Sequence, residues 1–206
     1  TINVVYGALI ALIQSDFKYV IGFSSVSHMG LVLIGFACLN QDSLLGAGMQ
    51  MFSHGIMTAL FFSVVGMVYD RTHTRELSQL GGLVQKMPWA AVGFIIAGLV
   101  SMGMPGFSGF VAEFPIFMGA WRTAPLVAII AILGVLVTAG YILLVVRRVF
   151  FGELPKQFQN IPDITWMDKL AIGLLAAFMI GLGWFPSLMT SVLQPGVQNI
   201  LRLLGG

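Results

Sequence analysis

Charge is scarce in this sequence: only 9% of its 206 residues are Asp, Glu, Lys or Arg, whereas 58% are hydrophobic. Soluble domains carry about 25% charged residues, so the composition is typical of an integral membrane protein. The net charge is only +2 and no run of basic residues is present, which argues against a nucleic-acid-binding protein. The function is therefore to be sought among membrane-spanning proteins.

Cysteine is also nearly absent. Cys38 stands alone, which excludes an intrachain disulfide and an iron–sulfur cluster held by this chain alone. No basic stretch precedes the first apolar residues and no small-residue cleavage site follows them, so no signal peptide is predicted. Because the chain starts with Thr1 and is apolar almost at once, we expect it to begin inside a helix of a longer protein.

Long apolar runs predict an all-α fold, a polytopic membrane helix bundle with about six transmembrane segments. The predicted segments cover residues 1–15, 18–39, 44–69, 89–120, 125–147 and 169–185. The fourth would be about 48 Å long as one straight helix, which is too long for a hydrocarbon core of about 30 Å. Since Pro105-Gly106 interrupts this segment, a discontinuity is predicted near Gly103–Gly106.

The last residues differ from the rest. Residues 1–185 are predicted to form the transmembrane region, and residues 186–206 a C-terminal tail. Apolar residues recur in the tail at helical spacing but are split by Pro195-Gly196. The tail is predicted to lie at the membrane interface or to pack on neighbouring helices.

Lysine and arginine are unevenly distributed between the two sides of the predicted bundle. If the segments alternate in direction, one side receives Lys18, Arg71, Arg75, Lys86, Arg147, Arg148, Lys156 and Lys169, and the other receives Arg122 and Arg202. By the positive-inside rule, the first side is predicted to be cytoplasmic in a bacterial plasma membrane, or its equivalent in an energy-transducing organelle membrane.

Three ionisable residues lie inside the predicted segments. Glu113 is the only acidic residue there, and an intramembrane carboxylate is costly unless it is neutral, paired or hydrated. His28 and His54 lie near the middle of the second and third segments. Histidine both accepts and donates protons near neutral pH. These residue types predict a proton-translocating path formed by His28, His54 and Glu113.

Further polar residues could extend this path. Ser24 lies one helical turn before His28, and Gln50 and Thr58 flank His54 at four residues on either side. Later segments add Ser101, Ser108, Thr138 and Tyr141. Lys18 is predicted at the cytoplasmic boundary, where it could snorkel or meet incoming protons. The predicted accessory residues are Lys18, Ser24, Gln50, Thr58, Ser108 and Tyr141.

Two readings without transport remain open from the residues alone. His28 and His54 could be axial ligands of a haem. The polar residues could also be satisfied interhelical contacts in an inert membrane spacer. A visible absorption spectrum would test the first reading, and charge neutralisation of Glu113 would test the second.

Several motifs together resemble a known family. The first motif is similar to the antiporter-like subunits of proton-pumping NADH:quinone oxidoreductase, respiratory complex I. It reads Ser15-Asp16-Phe17-Lys18-Tyr19-Val20-Ile21-Gly22-Phe23-Ser24-Ser25-Val26-Ser27-His28-Met29-Gly30. The resemblance continues in Phe52-Ser53-His54-Gly55, Asp70-Arg71-Thr72-His73-Thr74-Arg75, Gly81-Gly82-Leu83, and Gly103-Met104-Pro105-Gly106 leading to Glu113. It covers nearly the whole chain and is weakest after Gly152. Phe23 stands where the family commonly has Tyr.

The resemblance implies a subunit of the M type, equivalent to mitochondrial subunit 4, because the sister subunits usually carry lysine where this chain has Glu113. It assigns His28 and His54 to the proton relay and Glu113 to its terminal protonatable residue. Such subunits contain about fourteen helices in two inverted repeats, and this chain resembles only the last six, a C-terminal part of the subunit.

The resemblance also implies the surroundings of the chain. It would be a non-redox subunit of a translocase, without a cofactor of its own, while flavin, iron–sulfur clusters and quinone are expected in partner subunits. Its expected partners are other membrane subunits, including sister antiporter-like subunits, and lipids. A multisubunit cation/proton antiporter or a membrane-bound hydrogenase has the same fold and remains the alternative, and sodium remains an alternative to the proton.

Overall fold

The computed structural model describes residues 1–205, which fold into eight α-helices joined by short connections. The helices are α1 (Ile2–Ile13), α2 (Phe17–Ala37), α3 (Gln41–Thr72), α4 (Pro88–Ser101), α5 (Ser108–Thr123), α6 (Pro125–Val145), α7 (Trp166–Trp184) and α8 (Ser187–Leu203). A π-helical turn, Val146–Phe150, prolongs α6. By length and composition, α2, α3, α6 with this turn, and α7 could each cross a membrane. The all-α membrane fold is therefore confirmed.

The fourth predicted segment is broken where the sequence indicated. Residues 102–107 separate α4 from α5. The N–H groups of Gly103 and Met104 turn back onto carbonyls of the last turn of α4, at 3.1 and 3.0 Å, which is a Schellman cap. Gly103 has φ +66° and Gly106 has φ +94°, backbone that only glycine adopts without steric cost. The prediction of a discontinuous helix is confirmed.

Several helices begin or end one to three residues away from the predicted limits. Side chains explain three of the starts: Asp16 caps α2, Asn40 caps α3, and Thr165 forms a capping box at α7. As a result, the outermost turns of α3 and α7 include the acidic residues Asp42, Asp70 and Asp168, which the sequence placed in loops.

Helix α3 is the centre of the bundle and packs against α2, α4, α5, α7 and α8. Small residues allow close approach to α5: a Cβ on Gly46 would lie 2.9 Å from the Ile116 backbone nitrogen. At one end of the bundle, Phe94 packs against Phe17 and Phe61 with ring centroids 5.1 and 4.8 Å apart. Van der Waals contact of this kind holds membrane helices together, because lipid is as apolar as the side chains.

Ion pairs lie at both ends of the bundle. At one end Arg71 pairs with Asp168 at 3.1 Å, and Lys169 pairs with Asp163 at 2.7 Å. The Asp163 carboxyl is slightly desolvated, which alone would raise its pKa, but hydrogen bonds from Lys169 and the Ile164 N–H lower that pKa overall. Residues of the predicted basic side thus lie together. The cytoplasmic location of that side stays a prediction.

Pro195-Gly196 does not divide the tail into two helices. Helix α8 runs without interruption through Pro195-Gly196. Proline removes one N–H donor from a helix, and the carbonyl that it frees belongs to Ser191 on the exposed side of α8. The buried face of α8 packs on α3, where Leu193 lies 3.3 Å from the Cβ position of Gly48. The boundary of the tail at residue 186 stays a prediction.

Glycine at 183 is required for α7 to approach the break. A Cβ there would lie 2.6 Å from Phe107 Cα and would also strike the Gly106 carbonyl oxygen, whereas a Cβ on Gly181 would meet nothing within 4 Å. Overpacking of this kind costs about 1–3 kcal/mol. Gly183→Ala should therefore lower the thermal midpoint of the assembled protein, and Gly181→Ala should not. Equal midpoints for the two variants would contradict the close contact.

Candidate functional site

Glu113 is buried in the second turn of α5, with only 2% of its surface exposed. Its Oε1 atom accepts hydrogen bonds from His28 Nδ1 at 3.1 Å and from Gln50 Nε2 at 3.0 Å. The side chains come from α2, α3 and α5, so the carboxyl group lies where three helices meet. A buried carboxyl group requires such partners.

His28 connects α2 to both halves of the broken segment. Its Nδ1 faces Glu113 on α5, and its Nε2 lies 2.9 Å from Oγ of Ser101, the last residue of α4. A neutral imidazole with its proton on Nδ1 donates to Glu113 and accepts from the Ser101 hydroxyl, whereas an imidazolium donates at both nitrogens. The same contacts can therefore hold either protonation state of the ring.

His54 is beside this cluster but not bonded to it. Its ring centroid is 5.7 Å from that of His28, and it is only partly buried. Among residues 1–205, no side chain or backbone group bonds to its Nε2. Thr58 does not extend the path, because its hydroxyl donates to the His54 and Gly55 carbonyls at 2.8 and 3.1 Å.

A second buried polar group lies between α2 and α6. The Tyr141 hydroxyl donates to Ser24 Oγ at 2.7 Å and lies 3.3 Å from Thr138 Oγ1. Ser24 is one turn before His28 on α2, as the sequence predicted. The structure therefore brings Ser24 of α2 and Tyr141 of α6 together, one turn along α2 from His28 of the Glu113 cluster.

Ser108 also has a polar partner. Its Oγ lies 2.8 Å from that of Ser53, and both residues are buried. Sequence reasoning did not select Ser53, although it lies three residues after Gln50 and so falls on the same face of α3. Ser101 was noted only as a polar residue in the fourth segment. Ser53 and Ser101 could be recognised only from the tertiary structure, which brings them to Ser108 and His28.

Lys18 is not part of the buried cluster. It is exposed in the first turn of α2, and ten residues of helix separate it from His28, about 15 Å along the axis. It lines a surface cleft with Tyr69 and Arg75. Of the nine predicted site residues, the structure gathers His28, Gln50 and Glu113 by hydrogen bonds and leaves Lys18 and Thr58 outside.

Ligation of a haem by His28 and His54 would require a rearrangement of this site. Within the described residues, no group of three or more His, Cys, Asp or Glu side chains could hold a metal ion. Both ring nitrogens of His28 already contact protein groups. Use of His28 and His54 as axial haem ligands would break one of these contacts. The cluster brings together two groups that can gain and lose protons, His28 and Glu113, with the Ser101 hydroxyl beside His28.

Comparisons with known proteins identify the family of this chain. Residues 1–139 match the family described as "NADH:quinone oxidoreductase/Mrp antiporter, TM". The chain is 42% identical over 98% of its length to NADH-quinone oxidoreductase subunit M of Rhodobacter capsulatus, and covers 40% of that protein. It is 34% identical over its whole length to F(420)H(2) dehydrogenase subunit M of Methanosarcina mazei, and covers 42% of it.

A solved structure has the same fold. A chain of respiratory complex I from Thermus thermophilus, determined with bound NADH, matches all of this chain with a TM-score of 0.91 and 29% identity. This chain covers 43% of that chain. The sequence described here thus spans less than half the length of these relatives. The resemblance noted from the motifs is confirmed.

Proposed function

Because this chain belongs to the NADH:quinone oxidoreductase/Mrp antiporter transmembrane family, we propose that it forms part of a proton path in a redox-driven proton pump. The chain itself would be a non-redox membrane subunit of that pump. Its path would run through His28 and Glu113, with Gln50 and Ser101 as hydrogen-bonding partners. His54, Ser24 and Tyr141 would extend the path on either side.

One observation carries the proposal: the contact of 3.1 Å between His28 Nδ1 and Glu113 Oε1, with both residues 2% exposed. A proton can reside on the imidazole or on the carboxyl group of such a pair. Because the two groups are in contact, the charge on either one changes the free energy of protonating the other. Buried titratable groups arranged in this way are candidates for functional sites rather than for stability alone.

The break between α4 and α5 supports the same proposal. Non-helical backbone at membrane depth is tolerated where it is buried in protein or lines a hydrated cavity. Discontinuous helices recur at the ion sites of secondary transporters, where freed backbone groups face the ion. Ser101 ends α4 and contacts His28, so the break and the titratable pair form one site.

The relatives also support a proposal about the surroundings of this chain. Their printed names describe subunits of NADH-quinone oxidoreductase and of an F(420)H(2) dehydrogenase. We infer that flavin, iron–sulfur clusters and quinone are bound by partner subunits, and that sister antiporter-like subunits and lipids surround this chain. We place the end that carries Arg71, Lys169 and Arg75 on the cytoplasmic side, or its organellar equivalent.

The translocated ion is tested in vesicles that contain the assembled complex. Oxidation of the electron donor should produce a pH difference across the membrane in sodium-free buffer. A protonophore should abolish this difference, and a sodium ionophore should leave it unchanged. A pH difference that requires sodium and grows with the protonophore would instead indicate a sodium pump. The single buried carboxyl group of the cluster favours the proton, because a bare cation needs several oxygen ligands.

A further inference from the structure

The two carboxyl oxygens of Glu113 have different surroundings. Oε1 accepts from both His28 Nδ1 and Gln50 Nε2. Oε2 makes no hydrogen bond to any group of residues 1–205 and instead faces the break. A Cβ placed on Gly103 would lie 3.1 Å from Oε2, closer than nine in ten real contacts of a Cβ atom. Only glycine at this position leaves the space beside Oε2 open.

We propose that Oε2 is the atom at which Glu113 gains and loses its proton, and that Gly103 is the positioning residue that keeps this side accessible. The inference rests on the proposed function. The proton would then reach Glu113 from the side of the break, past Gly103.

Hydrogen-bond capacity assigns the proton to Oε2. Oε1 already accepts two N–H groups, and a hydroxyl there would place its hydrogen against those donors. When the carboxylate is neutralised, the new O–H bond therefore forms at Oε2. A hydronium ion on the side of the break supplies the proton: its O–H bond breaks as the O–H bond at Oε2 forms, and a water molecule is left. The His28 and Gln50 contacts at Oε1 persist, so the carboxyl group need not rotate.

Backbone conformation alone does not distinguish Gly103 from its neighbour. Gly103 (φ +66°) and Gly106 (φ +94°) both occupy the left-handed region that disfavours other residues. They differ in what a side chain would meet. At Gly106 the nearest atom is Trp184 Nε1 at 3.9 Å, an ordinary contact, whereas at Gly103 it is the Glu113 carboxyl oxygen. Gly106→Ala is therefore a matched control for Gly103→Ala: it has a similar backbone cost but no close contact with Glu113.

The test compares Gly103→Ala with Gly106→Ala in the assembled complex. Yield, donor oxidation rate and protons translocated per electron are measured together. Both variants carry the backbone cost and should lose similar yield, but only Gly103→Ala should lower the proton-to-electron ratio severalfold. Equal ratios in the two variants would overturn the assignment of Oε2. Asn tolerates the left-handed region, so Gly103→Asn and Gly106→Asn repeat the comparison if the alanine variants assemble poorly.

A double variant supplies a readout that a purely structural role would not move. Glu113→Asp withdraws the carboxyl group by one methylene from the methyl group of Gly103→Ala. The double variant should therefore translocate as many protons per electron as Glu113→Asp alone, whereas independent defects would add. Additive losses would contradict crowding of Oε2. If Glu113→Gln pumps normally, the proposed function itself fails. If it does not pump, yet the two glycine variants are equal, only the Oε2 assignment fails.

Discussion

Glu113→Gln should remove most of the proton translocation by this subunit while the yield of the assembled complex stays close to that of the wild type. Gln has nearly the same shape as Glu, and its carbonyl oxygen can still accept from His28 Nδ1 and Gln50 Nε2, 3.1 and 3.0 Å away in the wild type. It cannot take up or release a proton. The decisive readout is the number of protons translocated per electron in vesicles, measured with donor oxidation and yield.

The carboxylate control is Glu113→Asp. Aspartate keeps the exchange chemistry but shortens the reach by one methylene, so the contact with His28 is lengthened and part of the translocation should remain. The ratio should therefore fall in the order Glu, Asp, Gln. If Glu113 only filled a polar position, the isosteric Gln would serve better than Asp. The Gln variant would then translocate more protons per electron than the Asp variant.

The second large effect is expected at His28. His28→Asn places an amide N–H near the Nδ1 position, so the bond to Glu113 can be kept, but the residue can no longer change its charge. Proton translocation should fall severalfold with little loss of assembly. His28→Leu should lower the yield as well, because it leaves the buried carboxyl group and the Ser101 hydroxyl with fewer partners.

His54→Asn is the matched control for this prediction. His54 carries the same side chain on the neighbouring helix but makes no bond to Glu113, and its Nε2 has no partner within residues 1–205. Its replacement should therefore cost less translocation than that of His28. A larger loss for His54→Asn would indicate that the path is organised around His54, against the geometry.

The sequence was sufficient for the parts of the fold that depend on local chemistry. A run too long for one crossing, with a Pro-Gly pair inside it, predicted the break at residues 102–107. The cost of an intramembrane carboxylate singled out Glu113, and the structure places it beside a predicted histidine. Such inferences need only spacing and the energetics of single groups.

The sequence could not rank the two histidines. His28 and His54 are equally central in their segments. Only the tertiary structure shows that Ser101 and Glu113 both contact His28. The packing of α3 against α5 explains why Ser53, which contacts Ser108, was missed. Thr58 has the expected helical spacing, but its hydroxyl bonds its own helix backbone instead. Spacing identifies a face of one helix but not what the face meets.

The central claim is that the buried Glu113 carboxyl group changes protonation during turnover. Isotope-edited infrared difference spectroscopy of the assembled complex, recorded before and during donor oxidation, measures this directly through the C=O stretch of a neutral carboxyl group. We predict a carboxyl band that changes with turnover in the wild type, shifts in Glu113→Asp and is absent in Glu113→Gln. An identical band change in the wild type and in Glu113→Gln, or no band change at all in a pumping complex, would contradict the account.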